Sequence, residues 1–355
     1  MLRNTIACCL LALVPGMALM AQNNIPPVFA GDEELFREDI LTRTYITPKQ
    51  VFWTSSATSV RDAQLLLKPN TGQSDIFASG MCQLVNKGSD KASIILDFGK
   101  EIHGGLKIVI STVSPARTPV FRVRFGESVS ETCSELNTTT SLVETGSNEV
   151  MDLKNNTATN DHAMRDMELT CPYYGSIEIG STGYRFVRLD LLTDDMLVNL
   201  KEVTAILRYR DIPYEGSFNC SDQRLNDIWM TGAYTVHLNM QEYIWDGIKR
   251  DRLIWLGDMH PETSTISYVF GEDESVYSSL DLAVKQYPLP NYFNGMSAYS
   301  MWYLIMQYDW YMHFGNIDFL RKHGVYFKVL GRPLETTVGL EGYAYPGGGR
   351  FLPLQ

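Results

Sequence analysis

At 355 residues the chain is longer than one ordinary core requires, so two domains is the natural expectation. With 45 % hydrophobic and 20 % charged residues the composition is globular rather than disordered. A net charge of −11, with no clustered Lys/Arg tract, excludes a nucleic-acid partner, which needs phosphate-neutralising basic groups. Such acidity suits a protein with a neutral ligand.

The N-terminus reads as a targeting segment. Arg3 supplies a positive start, Ile6 to Val14 a short apolar run, and Ala18-Leu19-Met20-Ala21 small residues suited to cleavage. A signal peptide over residues 1–21 and an exported, periplasmic or extracellular product are therefore expected. No stretch reaches the ~18 apolar residues of a membrane span. Cys82, Cys133, Cys171 and Cys220 remain after cleavage. They would form up to two disulfides in one of three pairings, or stay as structural thiols. No zinc spacing occurs, the histidines are scattered, and no GxSxG, P-loop or dinucleotide pattern is present, so neither metal nor cofactor is expected.

Residues 23–215 read as strands. Ala92 to Phe98 is apolar and β-branched, and Leu106 to Ser111 follows a Gly104-Gly105 pair read as a turn. Phe121 to Phe125 alternates with period two; Ser176 to Ile179, Tyr184 to Leu192 and Val203 to Tyr209 follow. Short strands between Gly, Asn, Ser and Thr clusters predict a β-sandwich, with long loops over Ser134 to Asp161.

The texture changes near Gly216, and residues 216–355 read as helices. Ser221 is the expected N-cap of a helix whose buried stripe is Leu225, Ile228, Trp229, Gly232, Val236 and Met240. A second helix is expected from Ser297 to Phe314, with Trp302, Met306 and Trp310 on one face and Gly315-Asn316 as its stop. A third is expected from Ile317 to about Leu330. Strands first and helices after is the pattern of a multidomain β + α chain.

The densest chemistry lies in Asp246 to Glu262, DGIKRDRLIWLGDMHPE. It gathers Asp246, Asp251, Asp258 and Glu262 with Arg250, Arg252 and Trp255. A helix from Asp251 onward would put Asp251, Trp255 and Asp258 on one face. Carboxylates beside an aromatic plate serve sugar hydrolysis: one acid protonates the leaving oxygen, others bind hydroxyls, and the indole packs on the ring's C–H face. An Arg-Asp-Arg cluster is also what a solvated ion-pair face looks like. The aromatics Tyr287, Tyr292, Phe293, Tyr299 and Trp302 would line either a sugar cleft or a helical core.

This segment is similar to the first-barrel motif of the α-L-rhamnosidases of glycoside hydrolase family 78, with Asp246, Arg250, Arg252, Trp255, Gly257 and Asp258 at matching places. Leu96-Asp97-Phe98-Gly99-Lys100-Glu101 with Gly104-Gly105, then Phe125-Gly126-Glu127-Ser128 and Gly183-Tyr184-Arg185-Phe186-Val187-Arg188, resemble that family's β-sandwich. Tyr308-Asp309-Trp310-Tyr311 with Phe319-Leu320 resembles its second helical hairpin. The resemblance implies an N-terminal β-sandwich followed by the first part of an incomplete (α/α)6 barrel, and inverting hydrolysis of terminal α-L-rhamnose from a glycan. It makes Asp246, Arg250, Trp255 and Asp258 substrate-binding and puts the general acid at Asp251. The family uses Glu there, so the donor is one methylene shorter, and Glu262, turned inward by a loop at Pro261, is the expected substitute. Inversion also needs a second carboxylate roughly 6.5–9.5 Å away. The family's base lies in a later region than this sequence reaches, which leaves Glu335 and Glu341 as stand-ins. The other readings are a non-catalytic carbohydrate-binding protein and a barrel glycosidase or lyase acting on another sugar.

Overall fold

This computed structural model describes residues 26–32, 39–77, 79–133, 166–249 and 251–337. The chain divides after Asp39. In the first unit a single 3₁₀ turn, Pro27–Phe29, is described. The described residues from Ile40 onward form one compact unit in which sheet and helices pack together.

The strands are β1 (Thr42–Ile46), β2 (Gln50–Thr54), β3 (Val60–Arg61), β4 (Cys82–Asn86), β5 (Ser93–Ser114) and β6 (Val120–Gly126), followed by β7 (Asp166–Thr170), β8 (Gly175–Leu191) and β9 (Met196–Tyr209). Helix α1 (Val129–Cys133) lies between β6 and β7. All the strand pairs are antiparallel, and β3-β4-β9-β5-β8-β6-β7 gives the sheet order, with β1 on β9 and β2 on β5. The first half of β5 lies between β2 and β8, the second half between β9 and β8. Its apolar residues close over one core with Phe121, Val123, Phe125, Tyr184, Val187, Leu189, Val198 and Val203.

Two expectations are corrected here. Gly104-Gly105 is not a turn but the middle of a continuous β5, and Ser176 to Leu191 is one strand rather than two. The glycines answer to crowding. A Cβ on Gly104 would stand 1.8 Å from the Ile206 carbonyl oxygen of β9, and one on Gly105 would stand 2.6 Å from the Ile179 carbonyl oxygen of β8. Register shifts flank this point in the β5–β8 pairing. The loops expected over Ser134 to Asp161 lie outside the described residues.

The helices are α2 (Gln223–Asn239), α3 (Leu256–Val269), α4 (Glu274–Gln286), α5 (Ser297–Phe314), α6 (Ile317–Lys322) and α7 (Gly324–Thr337). Asp222, not Ser221, caps α2 by accepting from the Arg224 amide. Its buried residues lie in the C-terminal half, including Ala233 and Val236; Leu225 and Ile228 are 47 % and 57 % exposed, since no described element covers the first turns. Helix α5 has the expected bounds and ends on Gly315 at φ 71°, a left-handed C-cap. Met306 and Trp310 are buried while Trp302 stays part-exposed. The third helix is broken into α6 and α7 around His323. These helices enclose a second core that includes Met240, Leu256, Ile266, Leu280, Phe293, Tyr303 and Trp310.

The four cysteines are free thiols, with no disulfide among the described residues. Burial pushes Cys82 and Cys171 up to about 12. No described helix is long and apolar enough to cross a membrane, and no described cluster could hold a metal ion.

Candidate active site at the start of helix α3

The segment from Asp246 to Trp255 is a loop, which corrects the helix expected from Asp251. Asp251 and Arg252 have φ of 30° and 54°, which a right-handed helix does not accommodate, and α3 begins only at Leu256 with Trp255 as its N-cap. Asp246 closes the loop on itself. Its amide donates to the Leu253 carbonyl at 3.1 Å, and its Oδ1 accepts from the Leu253 amide at 2.9 Å. Asp258 stands in the first turn of α3, where the helix dipole favours a negative side chain. Glu262 follows one turn deeper on the same face.

Pro261 does not form a loop; it lies inside α3, and Glu262 faces inward because the helix carries it there. Its Oε1 accepts from Asn239 Nδ2 at 2.9 Å, whereas its buried Oε2 has no hydrogen-bond partner among the described residues. Burial, against the Asn239 hydrogen bond and with help from the Asp258 and Asp246 charges, raises Glu262 to about 8, so it keeps its proton at neutral pH. Burial also raises Asp246; the Leu253 amide opposes this, and Asp251 and Asp258 add to it. Tyr299 is raised by burial and then by Asp258 and Asp246. These shared influences put Asp246, Asp258, Glu262 and Tyr299 in one electrostatic neighbourhood.

Trp255 meets Tyr299 edge-on, ring centroids 6.2 Å apart. Gly257 makes room for this contact, since a Cβ there would stand 2.3 Å from the Tyr299 ring. Asn294 holds the entry to the helix from both sides, accepting from the Leu256 amide at 3.2 Å and donating to the Ile254 carbonyl at 2.9 Å. Of the other aromatic residues proposed to line a cleft, Phe293 is core, stacked on Tyr303 at 4.5 Å, and Trp302 packs on His260.

The sheet supplies the back of the site. Lys249 is buried in an ion pair with Glu131 of α1. Arg252 donates to the Ser181 carbonyl of β8 at 2.6 Å, and Ile248 packs over Gly183. The three sandwich patches singled out in the sequence meet behind the loop. Tyr184 is packed edge-on by Phe98 and Phe125, at 5.8 and 4.9 Å, and donates to the Gly105 carbonyl. Arg185 binds both oxygens of Asp97 at 2.8 and 2.9 Å. Burial alone would raise Asp97, but these bonds and the Gly99 amide hold it below the usual carboxylate range. Asn239, Asn294 and Glu131 were not singled out in the sequence: each is a lone polar residue remote from the motif. Arg250 and Glu341 lie outside the described residues, as does the side chain of Glu335.

Residues 213–327 match the model of the bacterial α-L-rhamnosidase six-hairpin glycosidase domain. Over these residues the chain is similar to that domain. Its structure is similar to the rhamnosidase from Klebsiella oxytoca with rhamnose bound, at 17 % identity and a TM-score of 0.64, covering 90 % of this chain and 61 % of that one. It is also similar to the GH78 family rhamnosidase of Bacillus sp. GL1, at 17 % identity and a TM-score of 0.62, covering 82 % of this chain and 28 % of that one. At such identities the likeness is one of fold, a β-sandwich followed by barrel helices. The chain spans about three fifths of the Klebsiella protein and under a third of the Bacillus one. No curated protein matches it.

Proposed function

We propose that the rhamnosidase-like segment binds terminal α-L-rhamnose of an extracytoplasmic glycan and hydrolyses it with inversion. The observation that carries this reading is the grouping of Asp246, Asp258 and Glu262 beside the Trp255–Tyr299 pair at the start of α3. Asp246 and Asp258 accept hydrogen bonds from ring hydroxyls. Trp255 offers its indole to the apolar face of the deoxysugar, with Tyr299 against its edge. Asp251, on the loop, delivers the proton to the leaving oxygen. Glu262 stays neutral and so adds no third negative charge beside Asp246 and Asp258. Water is activated by a second carboxylate across the sugar.

The test is hydrolysis of p-nitrophenyl α-L-rhamnoside against a panel of other aryl glycosides, with proton NMR of the first-formed anomer. Release from the rhamnoside alone, giving the inverted sugar, is expected; cleavage of another glycoside instead would overturn the sugar assignment. Asp251→Asn and Glu262→Gln then separate the two acids. Loss of the proton donor slows a poor alkyl leaving group far more than nitrophenolate, which departs without a proton. That selectivity is expected of Asp251→Asn and not of Glu262→Gln.

A further inference from the structure

The loop that carries Asp246 has a second face. Asp246, Gly247 and Ile248 form one wall of a cavity of about 890 Å³ between the sheet and α2. This is within the ~300–1,000 Å³ common for small-ligand sites. Phe98, Glu101, Ile102, Glu127 and Arg185 line its sheet side; Met230, Tyr234 and Leu238 line its helix side. The cavity thus draws on all three sandwich patches, through Phe98 to Glu101, Glu127 and Arg185.

We infer that this cavity is a binding site for a second, neutral sugar ring, the one to which the terminal deoxysugar is attached; this rests on the glycosidase reading. Three observations give the ligand its class. First, the charges cancel. Arg185 is already bound to Asp97, and the lining holds Lys49 and Lys100 against Glu127 and Asp246, two charges of each sign, so no net sign selects an ion. Second, Glu101 lines the cavity with a buried Oε1 that has no partner among the described residues. Burial, then the Glu127 charge, raises it to about 8, so it offers an O–H to a hydroxyl without repelling a neutral guest. Third, Phe98, Ile102, Met230 and Leu238 supply the apolar surface on which the C–H face of a pyranose packs. Asp246 belongs both to this wall and to the candidate site, so a disaccharide seated at Trp255 reaches the cavity past it. Asn239, which holds Glu262, is on the same wall.

The experiment is calorimetric titration of the full chain carrying Asp251→Asn, so that the disaccharide stays intact, with L-rhamnose and with α-L-rhamnosyl-(1→6)-glucose, alone and combined with Met230→Trp. Met230 is half-exposed at the cavity's edge, so the indole fills space without disturbing a core. Thr235→Phe on the same helix serves as a second filler, and matching thermal melts verify that both fold. The disaccharide is expected to bind at least tenfold tighter than rhamnose. Either filler should abolish that advantage while leaving rhamnose affinity within twofold. Equal affinity for the two sugars, or an advantage that survives both fillers, overturns the cavity site alone. Filler-sensitive disaccharide binding without any rhamnose binding would overturn the rhamnose reading alone. Binding of neither sugar overturns both.

Discussion

Lys249, on the loop that begins with Asp246, is buried to 4 % exposure against Glu131, which is equally buried in the short helix α1. A long, flexible cation in such a place is a clamp rather than a surface charge. It ties the candidate site to an element more than a hundred residues away, and it makes the sheet part of the site's geometry.

Removing one partner leaves the other charge buried and uncompensated, which costs about 3–5 kcal/mol. Lys249→Met is therefore expected to lower stability in urea unfolding by that amount. Lys249→Met with Glu131→Leu should cost clearly less than the single change. Both variants should weaken rhamnose binding, because both free the loop.

The Asn294 clasp makes a separate prediction. Asn294 has φ of 50°, which Asn tolerates better than Ala does, and its side chain holds Ile254 and Leu256 together. Asn294→Ala should lose about 1–3 kcal/mol from the backbone strain and the missing bonds. Asn294→Gly relieves the strain without restoring the bonds. It should regain stability but not the native Trp fluorescence or the rhamnose affinity.

Gly257 is tested by Gly257→Ala. The new methyl meets the Tyr299 ring at 2.3 Å, so helix or ring must shift, at about 1–3 kcal/mol. Rhamnose affinity should fall together with stability. A Tyr299→Leu background, which removes the clash, should recover the stability alone.

The raised carboxyls give the stability a direction with pH. Glu262 and Glu101 have folded values of about 8, above the unfolded carboxylate range near 4.5. The folded state holds protons that the unfolded state has released, so their contribution is full at low pH and is lost as pH rises to about 8. His103, His237 and His323 are lowered by burial and push the other way, but only below about 6.5. Between pH 6.5 and 8 the raised carboxyls set the direction among the described groups. The melting temperature should fall across that window, and Glu262→Gln should flatten the fall. An unchanged slope in the variant would reject the buried neutral acid.

Most strands were legible because buried β-branched runs leave a plain signature. Gly104-Gly105 misled for a physical reason: a glycine pair that makes room for a neighbouring backbone is spelled like one that turns. The same limit applies to the site. Asp246, Trp255 and Asp258 stand in one motif and could be read from it, whereas the helical phase assumed from Asp251 fails on two residues of positive φ. Asn239, Asn294 and Glu131 act through contacts made 23 to 118 positions away along the chain, and a single polar residue carries no periodic mark of such a contact.

The match to the glycosidase domain starts at Pro213, yet the partners of Lys249, Arg252 and Ile248 all lie before it, on Glu131, Ser181 and Gly183. The stretch that carries the motif is therefore smaller than the stretch that shapes it. Recombination at Pro213 would transplant every acid of the site and leave behind the surface that holds them in register. Sandwich and helices are thus bound to be inherited together, and a chimera that exchanges one sandwich for another must also match the three residues beneath the loop.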